Sequence, residues 1–209
     1  MAPIPSRDLA DVQTVGIPRA LLQFRYGELW KTFFEELGRT VVLSDETDKA
    51  VVDAGCALSV DECCLASKAY MGHIASLADR CDAVFAPCYA SANPRAGFCT
   101  KFQSAPDLVR NTFRDAKLRV ISLLVEDASD ARKTRAAFLE LAFRMGANPA
   151  EGRRAWKRAL RAQNAADAAR AKAQEEALKL LDEYRRVVAG DPTGTEQPPL
   201  AILLVAHPY

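Results

Sequence analysis

The chain has 209 residues, of which 49% are hydrophobic and 26% charged, as expected of one globular domain or of one domain with the start of a second. A net charge of +1 gives no general electrostatic attraction to nucleic acid or to an anionic membrane, and neither is predicted as a partner. The first residues contain no apolar segment typical of a secretory signal, and no apolar run approaches the roughly 20 residues that span a bilayer. A cytoplasmic location is therefore expected.

Short apolar segments alternate with amphipathic helices in the first part of the chain. Residues 14–18 and 39–44 are predicted to form strands. Between them, six apolar residues recur with the spacing of one helix face: Leu22, Tyr26, Leu29, Trp30, Phe33 and Leu37. Gly38 is the expected left-handed residue just beyond that helix. A short helix is predicted near residues 46–54, ended by Gly55.

The segment VDECCLASKAYMGH has two adjacent cysteines at the start of a predicted helix. Residues 62–79 carry apolar side chains with helical spacing: Tyr70, Ile74, Leu77 and Ala78. Ser59 and Asp61 are the candidate N-caps, which would place Cys63 and Cys64 in the first turn. Helix geometry would separate these two side chains by about 100°.

Two further apolar segments, at residues 82–90 and 118–126, have the continuous pattern of strands that are buried in a parallel sheet. Residues 91–97 between them are predicted to form a loop, and residues 131–146 an amphipathic helix. The alternation of strands and helices predicts an α/β fold with an open, mostly parallel sheet and flanking helices, Rossmann-like or flavodoxin-like, followed by a long C-terminal helix.

The C-terminal helix is predicted over residues 149–189, where alanine and charged residues of high helix propensity dominate. Its middle, residues 161–176, is interpreted as a solvated arm because its apolar side is mostly alanine. The chain is therefore divided into an α/β domain (1–147), a helical arm (148–190), and a linker with an apolar strand (191–209). The last segment is expected either to begin a second domain or to add a strand to the first sheet.

All six cysteines lie between positions 56 and 99. Because cytosolic cysteines are normally reduced, metal binding or redox use is favoured over disulfides, with buried thiols as the alternative. The chain has no CxxC pair, which argues against a zinc ribbon and a thioredoxin-like site. Functional groups of an open α/β sheet gather beyond the carboxyl ends of its strands, which tends to bring Cys64, Cys88 and Cys99 together.

Two other chemistries are not supported by the sequence. A Cys64–His73 dyad is not expected, because the intervening helix would separate the two residues by about 13 Å. No GxxxxGK[ST] motif occurs, so no nucleotide-binding residues are predicted. An iron–sulfur site assembled from separate loops is left open, but the cysteine spacing alone favours incidental thiols over it.

Four segments resemble the family related to the activators and components of 2-hydroxyacyl-CoA dehydratases. They are VGIPRALLQFRYGELWKTFFEELGRTVVLSDET, VDECCLASKAYMGHIASL, DAVFAPC and FCTKFQSAPDLVR, all before residue 126. This iron–sulfur family is often described as acyl-CoA dehydratase activase-related and is akin to double-cubane-cluster proteins. The terminal HPY resembles the opening of the next domain in that family.

The resemblance implies an oxygen-sensitive 4Fe–4S or double-cubane cluster with Cys64 and Cys99 as ligands. Cys88 or another subunit would supply a further ligand, and Cys63, in a variable position of the family pattern, is interpreted as a packing residue. The resemblance also implies a group of supporting residues: Asp61, Glu62, Lys68, His73 and Lys101. The acidic pair would orient the first helical turn and the lysines would balance the charge of the cluster, with ordinary solvated lysines as the alternative.

The implied role is low-potential electron transfer from an ATP-dependent activator protein, within a dehydratase-like or reductase system that includes a second subunit or a homodimer. The resemblance implies no substrate and no catalytic residue. In this sequence Ala66 or Ser67 and Thr100 stand where the family pattern has prolines after the ligand cysteines. A non-catalytic scaffold or partner-binding module that has lost the cluster is therefore the alternative function.

Overall fold

The computed structural model describes residues 7–116 and 118–190, and the predicted linker and strand at 191–209 lie outside the described residues. The strands are β1 (Thr14–Ile17), β2 (Thr40–Leu43), β3 (Ala83–Phe85), β4 (Cys88–Tyr89), β5 (Ser91–Asn93), β6 (Ala96–Gly97), β7 (Arg119–Ile121) and β8 (Leu124–Val125). The helices are α1 (Gln23–Glu36), α2 (Lys49–Ala57), α3 (Leu65–Leu77), α4 (Thr100–Gln103), α5 (Ala105–Thr112), α6 (Ala131–Arg144) and α7 (Pro149–Gly190).

The central sheet has four parallel strands in the order β2-β1-β3-β7. Strand β1 lies inside it, with Val15 paired to Val41 on one side and to Ala83 on the other. Because the chain leaves β1 for β2 and then crosses to β3 on the opposite side of β1, the connections change direction between β1 and β3. The prediction of an α/β fold with a parallel sheet, flanking helices and a long C-terminal helix is confirmed.

Helix α1 buries its predicted apolar face in the core, where Trp30 and Phe33 are almost fully inaccessible. The helix ends at Glu36, and Gly38 just beyond it is left-handed as predicted, with a φ of 74°. The amide of Gly38 donates a hydrogen bond to Glu35 O over 2.9 Å, so a helix-end carbonyl is satisfied. Glycine suits this position because it has no Cβ to clash in the left-handed conformation.

Helix α2 begins later than predicted, at Lys49, and passes through Gly55 instead of ending there. A Cβ on Gly55 would lie 1.9 Å from Lys68 O, and a Cβ on Gly72 would lie 1.9 Å from Val51 O. These two glycines therefore allow the backbones of α2 and α3 to touch. The prediction that Gly55 ends α2 was wrong because Gly55 serves this close approach.

The predicted strands at residues 82–90 and 118–126 are each split into two shorter strands. Pro87, which has no amide hydrogen to donate, lies in the break between β3 and β4. Cys88 N nevertheless donates a hydrogen bond to Leu123 O over 2.7 Å across the break. The pairs β3–β7 and β4–β8 are both parallel and follow one another along the same two chain segments.

Two further features differ from the predictions. Residues 91–97, predicted as a loop, form the antiparallel hairpin β5–β6. The short helices α4 and α5 after Cys99 were not predicted, although Pro106 lies in the first turn of α5, a common position for proline. These helices contain most of FCTKFQSAPDLVR, the segment of the resemblance that includes Cys99.

Helix α7 has 42 residues, and its first half packs along α1. Gln163 is 5% exposed, and its Oε1 accepts a hydrogen bond from Leu29 N over 3.2 Å. Asp167 forms an ion pair with Arg25 at 3.0 Å. The interpretation of residues 161–176 as a solvated arm is therefore wrong for the first half of that segment, where polar side chains contact α1.

None of the described helices, α7 included, is long and apolar enough to cross a membrane.

Candidate functional site

A cavity of about 200 Å³ lies where the sheet connections change direction, beyond the carboxyl ends of the strands. Leu21, which follows β1, forms one wall, and Cys64, Tyr70 and Cys99 contribute to the others. A smaller, neighbouring cavity is also lined by Leu21 and Tyr70, together with Pro87 near the end of β3. Ligands of open α/β sheets bind at this position, so this cavity is the candidate site.

Both cysteines of the predicted ligand pair are N-cap residues. Cys64 precedes α3 and Cys99 precedes α4, and neither side chain makes a capping hydrogen bond. Both thiols are exposed and free. Helix α3 begins later than predicted, after Cys64 and not at residue 62, because a turn closed by Cys63 N and Val60 O comes first. Neither Ser59 nor Asp61 is therefore its N-cap.

Lys101 brings a positive charge to the cysteines. Its Nζ atom donates a hydrogen bond to Cys63 Sγ over 3.0 Å. This hydrogen bond raises the pKa of Lys101, and electrostatic interactions with Cys63, Cys64 and Cys99 raise it further. Cys63, interpreted from the sequence as a packing residue, lies before α3 and is half-buried. Its sulfur has a polar partner in Lys101.

Three other residues implied by the resemblance, Asp61, Glu62 and Lys68, lie close to the two adjacent cysteines in sequence, and Lys68 is half-buried on α3. Asp61 and Glu62 are exposed. Lys68 Nζ donates a hydrogen bond to Asp61 O over 3.2 Å, which connects the first turn of α3 to the preceding turn. Lys68 thus contacts the cysteine turn through a backbone oxygen and not through a sulfur.

His73 lies in the core of the fold and makes two hydrogen bonds. It is fully buried, and its Nδ1 and Nε2 atoms lie 2.9 Å from Ser44 Oγ and 2.9 Å from Thr47 Oγ1, respectively. Burial lowers the pKa of His73, and the nearby charge of Arg19 lowers it further. In this structure His73 joins the segment after β2 to α3 and does not line the cysteine cavity.

The remaining thiols lie apart from the cavity lining. Cys88, the candidate third ligand, is half-buried on β4, and burial raises the pKa of its thiol. Cys56 is exposed on α2, and Cys81 Sγ donates a hydrogen bond to Leu77 O. Within residues 7–116 and 118–190, no three side chains of His, Cys, Asp or Glu are arranged to hold a metal ion.

Comparison with family models gives a match over most of the chain. Residues 14–209 match the family described as CoA enzyme activase uncharacterised domain (DUF2229). The chain belongs to this family. The match confirms the acyl-CoA dehydratase activase-related assignment and extends past residue 126, the limit of the segments on which the resemblance is based. No curated protein matches this chain.

Two features of the activase-family site could not be read from its sequence. Leu21 has a φ of 58°, a left-handed conformation that is unusual for a residue with a large side chain. Tyr70 is 4% exposed, and its hydroxyl is buried without a hydrogen-bond partner in the described part of the chain. Strained or unsatisfied groups are concentrated at functional sites, and both residues line this cavity.

The site of this activase-family chain thus combines soft sulfur donors, one ammonium group and an apolar wall. Exposed thiols in front of helix amides are suited to bind a soft metal centre once they are deprotonated. The ammonium of Lys101 can compensate negative charge on the sulfurs. Family membership indicates a role in an activase–dehydratase system of CoA enzymes.

Proposed function

We propose that this chain is the iron–sulfur-binding component of a 2-hydroxyacyl-CoA dehydratase-like or low-potential reductase system. Cys64 and Cys99 would be its cluster ligands, and an ATP-dependent activator protein would be its electron donor. When bound, the cluster would supply one-electron transfer at low potential. The protein itself would position the sulfurs, balance their charge and shield one side of the site from water.

The observation that supports this proposal is that Cys64 and Cys99 line one cavity at the edge of the sheet. They are far apart in sequence, yet each precedes a helix and is solvent-exposed. Thiols that serve only for packing are usually buried, as free cysteine is among the most buried residue types. Two exposed thiols at one cavity therefore favour a ligand role.

The chemistry of the donors fits an iron–sulfur group, although the described residues supply only part of a ligand set. Thiolates are the usual ligands of such clusters, and hydrogen bonds to their sulfurs tune them. The hydroxyl of Tyr70, which has no hydrogen-bond partner among the described residues, and the ammonium of Lys101 would be the donors of such bonds. The further ligands would come from Cys88, from residues outside the described ones, or from a second subunit or a second copy of the chain.

The proposal is tested by anaerobic purification and reconstitution, followed by measurement of iron and acid-labile sulfide per chain. The wild-type protein is expected to retain both. Cys64→Ala and Cys99→Ala are expected to lose most of the iron. Cys56→Ala is the matched control, because Cys56 is also an exposed thiol but lies on α2, away from the cavity lining. Equal iron contents in all four proteins would contradict the ligand assignment.

A scaffold or partner-binding module without a cluster is the second candidate function. The described residues contain no arranged group of three metal-binding side chains, and Thr100 replaces a proline of the family pattern. In that case the wild-type protein would emerge from reconstitution free of iron while still binding a partner. The same measurement thus separates the two functions.

A further inference from the structure

A second cavity, of about 490 Å³, lies away from the cysteines at the amino edge of the sheet. Gly38 and Gly146, which follow α1 and α6, line it together with the start of α7. Arg39, directly before β2, also lines it, which places the cavity beside the beginning of that strand. Its volume falls in the range of small-molecule sites, about 300–1,000 Å³.

The two carboxylates that line this cavity already have partners. Glu36 forms an ion pair with Arg158 at 2.8 Å, outside the lining. Glu151 Oε2 accepts a hydrogen bond from Asn148 N over 2.8 Å at the start of α7. The charge of Glu36 is therefore neutralised by Arg158, whereas Glu151 keeps its negative charge because its partner is a neutral backbone amide.

Three arginines line the same cavity: Arg7, Arg39 and Arg154. Within the described residues, none of them forms an ion pair with a carboxylate. Arg7 lies over the ring of Phe143, 5.3 Å from its centroid, an arrangement that leaves the edge of its guanidinium available. Three arginines and two carboxylates thus give the lining a formal net charge of +1.

Arg39 has a structural role as well. Its Nη2 atom donates a hydrogen bond to Met145 O over 2.6 Å, at the end of α6, where carbonyl groups carry partial negative charge. This contact occupies the Nη2 atom of Arg39, while its Nε atom is buried without a hydrogen-bond partner among the described residues. Arg7 and Arg154 have no comparable acceptor among the described residues, so their charge is available to a ligand.

We propose that this cavity binds a small molecule that carries a phosphate group. Guanidinium groups pair with phosphate in a bidentate manner, and a phosphate monoester has nearly two negative charges and three acceptor oxygens. Arginines from three separate chain segments match such an anion better than they match a single carboxylate. The site is independent of the cysteine cavity, because no residue lines both.

The proposal is tested with the purified full chain by isothermal titration at low salt, with inorganic phosphate and ribose 5-phosphate as probes and acetate as the carboxylate comparison. Arg154→Gln and Arg7→Gln are each expected to weaken phosphate binding by about tenfold or more, as loss of a charge-assisted hydrogen bond implies. Arg153→Gln is the matched control, because this exposed neighbour on α7 is not in the lining. The affinity of Arg153→Gln for both phosphate probes should equal that of the wild type.

Three results would overturn the proposal: no binding of either phosphate probe to the wild type, equal affinities in Arg154→Gln and Arg153→Gln, or acetate binding as tight as phosphate binding. Arg39→Gln is not used as the test, because loss of its contact with Met145 O could destabilise the fold. Circular dichroism of each variant confirms that it is folded before titration. Iron content is not measured, so this test is separate from that of the cysteine site.

Discussion

Lys101 Nζ donates a hydrogen bond to Cys63 Sγ over 3.0 Å and thereby connects α4 to the turn before α3. Cys63 belongs to the segment VDECCLASKAYMGHIASL, which contains Cys64, and Lys101 belongs to the segment FCTKFQSAPDLVR, which contains Cys99. One ammonium group thus holds together the two segments that present the exposed thiols. It also supplies positive charge where deprotonated thiols would accumulate negative charge.

Lys101→Met should lower the iron retained after anaerobic reconstitution several-fold. The substitution removes the hydrogen bond to Cys63 that joins the two cysteine-containing segments, and it removes the positive charge near the sulfurs. Lys101→Arg should retain more iron, because a guanidinium keeps the charge and can still donate hydrogen bonds. The measurement is iron per chain, with folding checked by circular dichroism.

Lys68→Met is the control for this prediction. Lys68 is also a lysine beside the cysteines, but its Nζ atom bonds Asp61 O and not a sulfur. Lys68→Met should retain more iron per chain than Lys101→Met. Equal losses in the two variants would mean that the general positive charge matters and the contact with Cys63 does not.

The parts of the structure that follow local rules were predictable from the sequence. The apolar face of α1 and its end at Gly38 follow from side-chain spacing and glycine conformation. The start of α3 was not predictable, because Ser59 and Asp61 are better N-caps by residue type than Cys64. The turn closed by Cys63 N and Val60 O precedes α3 and determines where this helix begins.

The candidate site was predictable where it follows from the order of strands and helices, and not where it depends on contacts between distant residues. The order of strands and helices indicates that Cys64 and Cys99 belong at the carboxyl edge of the sheet. The contact between Cys63 and Lys101 joins residues 38 positions apart and depends on α4, which the sequence pattern did not reveal. The left-handed conformation of Leu21 likewise has no sequence marker.

His73 should make the stability of the fold depend on pH. Burial and the charge of Arg19 lower its pKa below the usual 6.5, although Asp45 and Asp48 oppose this shift. The unfolded chain therefore binds a proton at a higher pH than the folded chain does. The contribution of His73 is fully present above about pH 6.5 and is lost as the pH falls towards the lowered pKa.

Urea unfolding at pH 8, 7, 6 and 5 measures this effect. His73→Gln should be less stable than the wild type at pH 8 and should show a smaller decrease between pH 7 and pH 5. Ser44 and Thr47, the hydrogen-bond partners of His73, do not titrate in this range. A variant with the same pH dependence as the wild type would assign the effect to other groups.

Gly55→Ala should destabilise the fold by about 1–3 kcal/mol or more, because overpacking forces backbone shifts. The added Cβ would lie 1.9 Å from Lys68 O, a backbone atom that cannot move without displacing α3. Gly27→Ala is the control within α1, where the new Cβ would meet only the end of the flexible Gln23 side chain at 2.8 Å. It should stabilise the helix by about 0.5–1 kcal/mol. Denaturant unfolding of both variants measures the difference, and equal effects would contradict the tight α2–α3 contact.

Gln163→Ala should weaken the attachment of α7 to α1. Gln163 Oε1 accepts a hydrogen bond from Leu29 N, and Gln163 Nε2 donates one to Arg25 O over 2.9 Å. Loss of these buried bonds should lower the free energy of unfolding by about 1–3 kcal/mol. Gln174→Ala, on the exposed part of the same helix, should change the free energy of unfolding by less than about 0.5 kcal/mol.

Urea unfolding measures the effects of both substitutions. Hydrogen exchange along α7 shows whether protection is lost from the first half of the helix, as expected if α1 holds that half in place. Unchanged stability in Gln163→Ala would mean that the contact contributes nothing to packing of the helix.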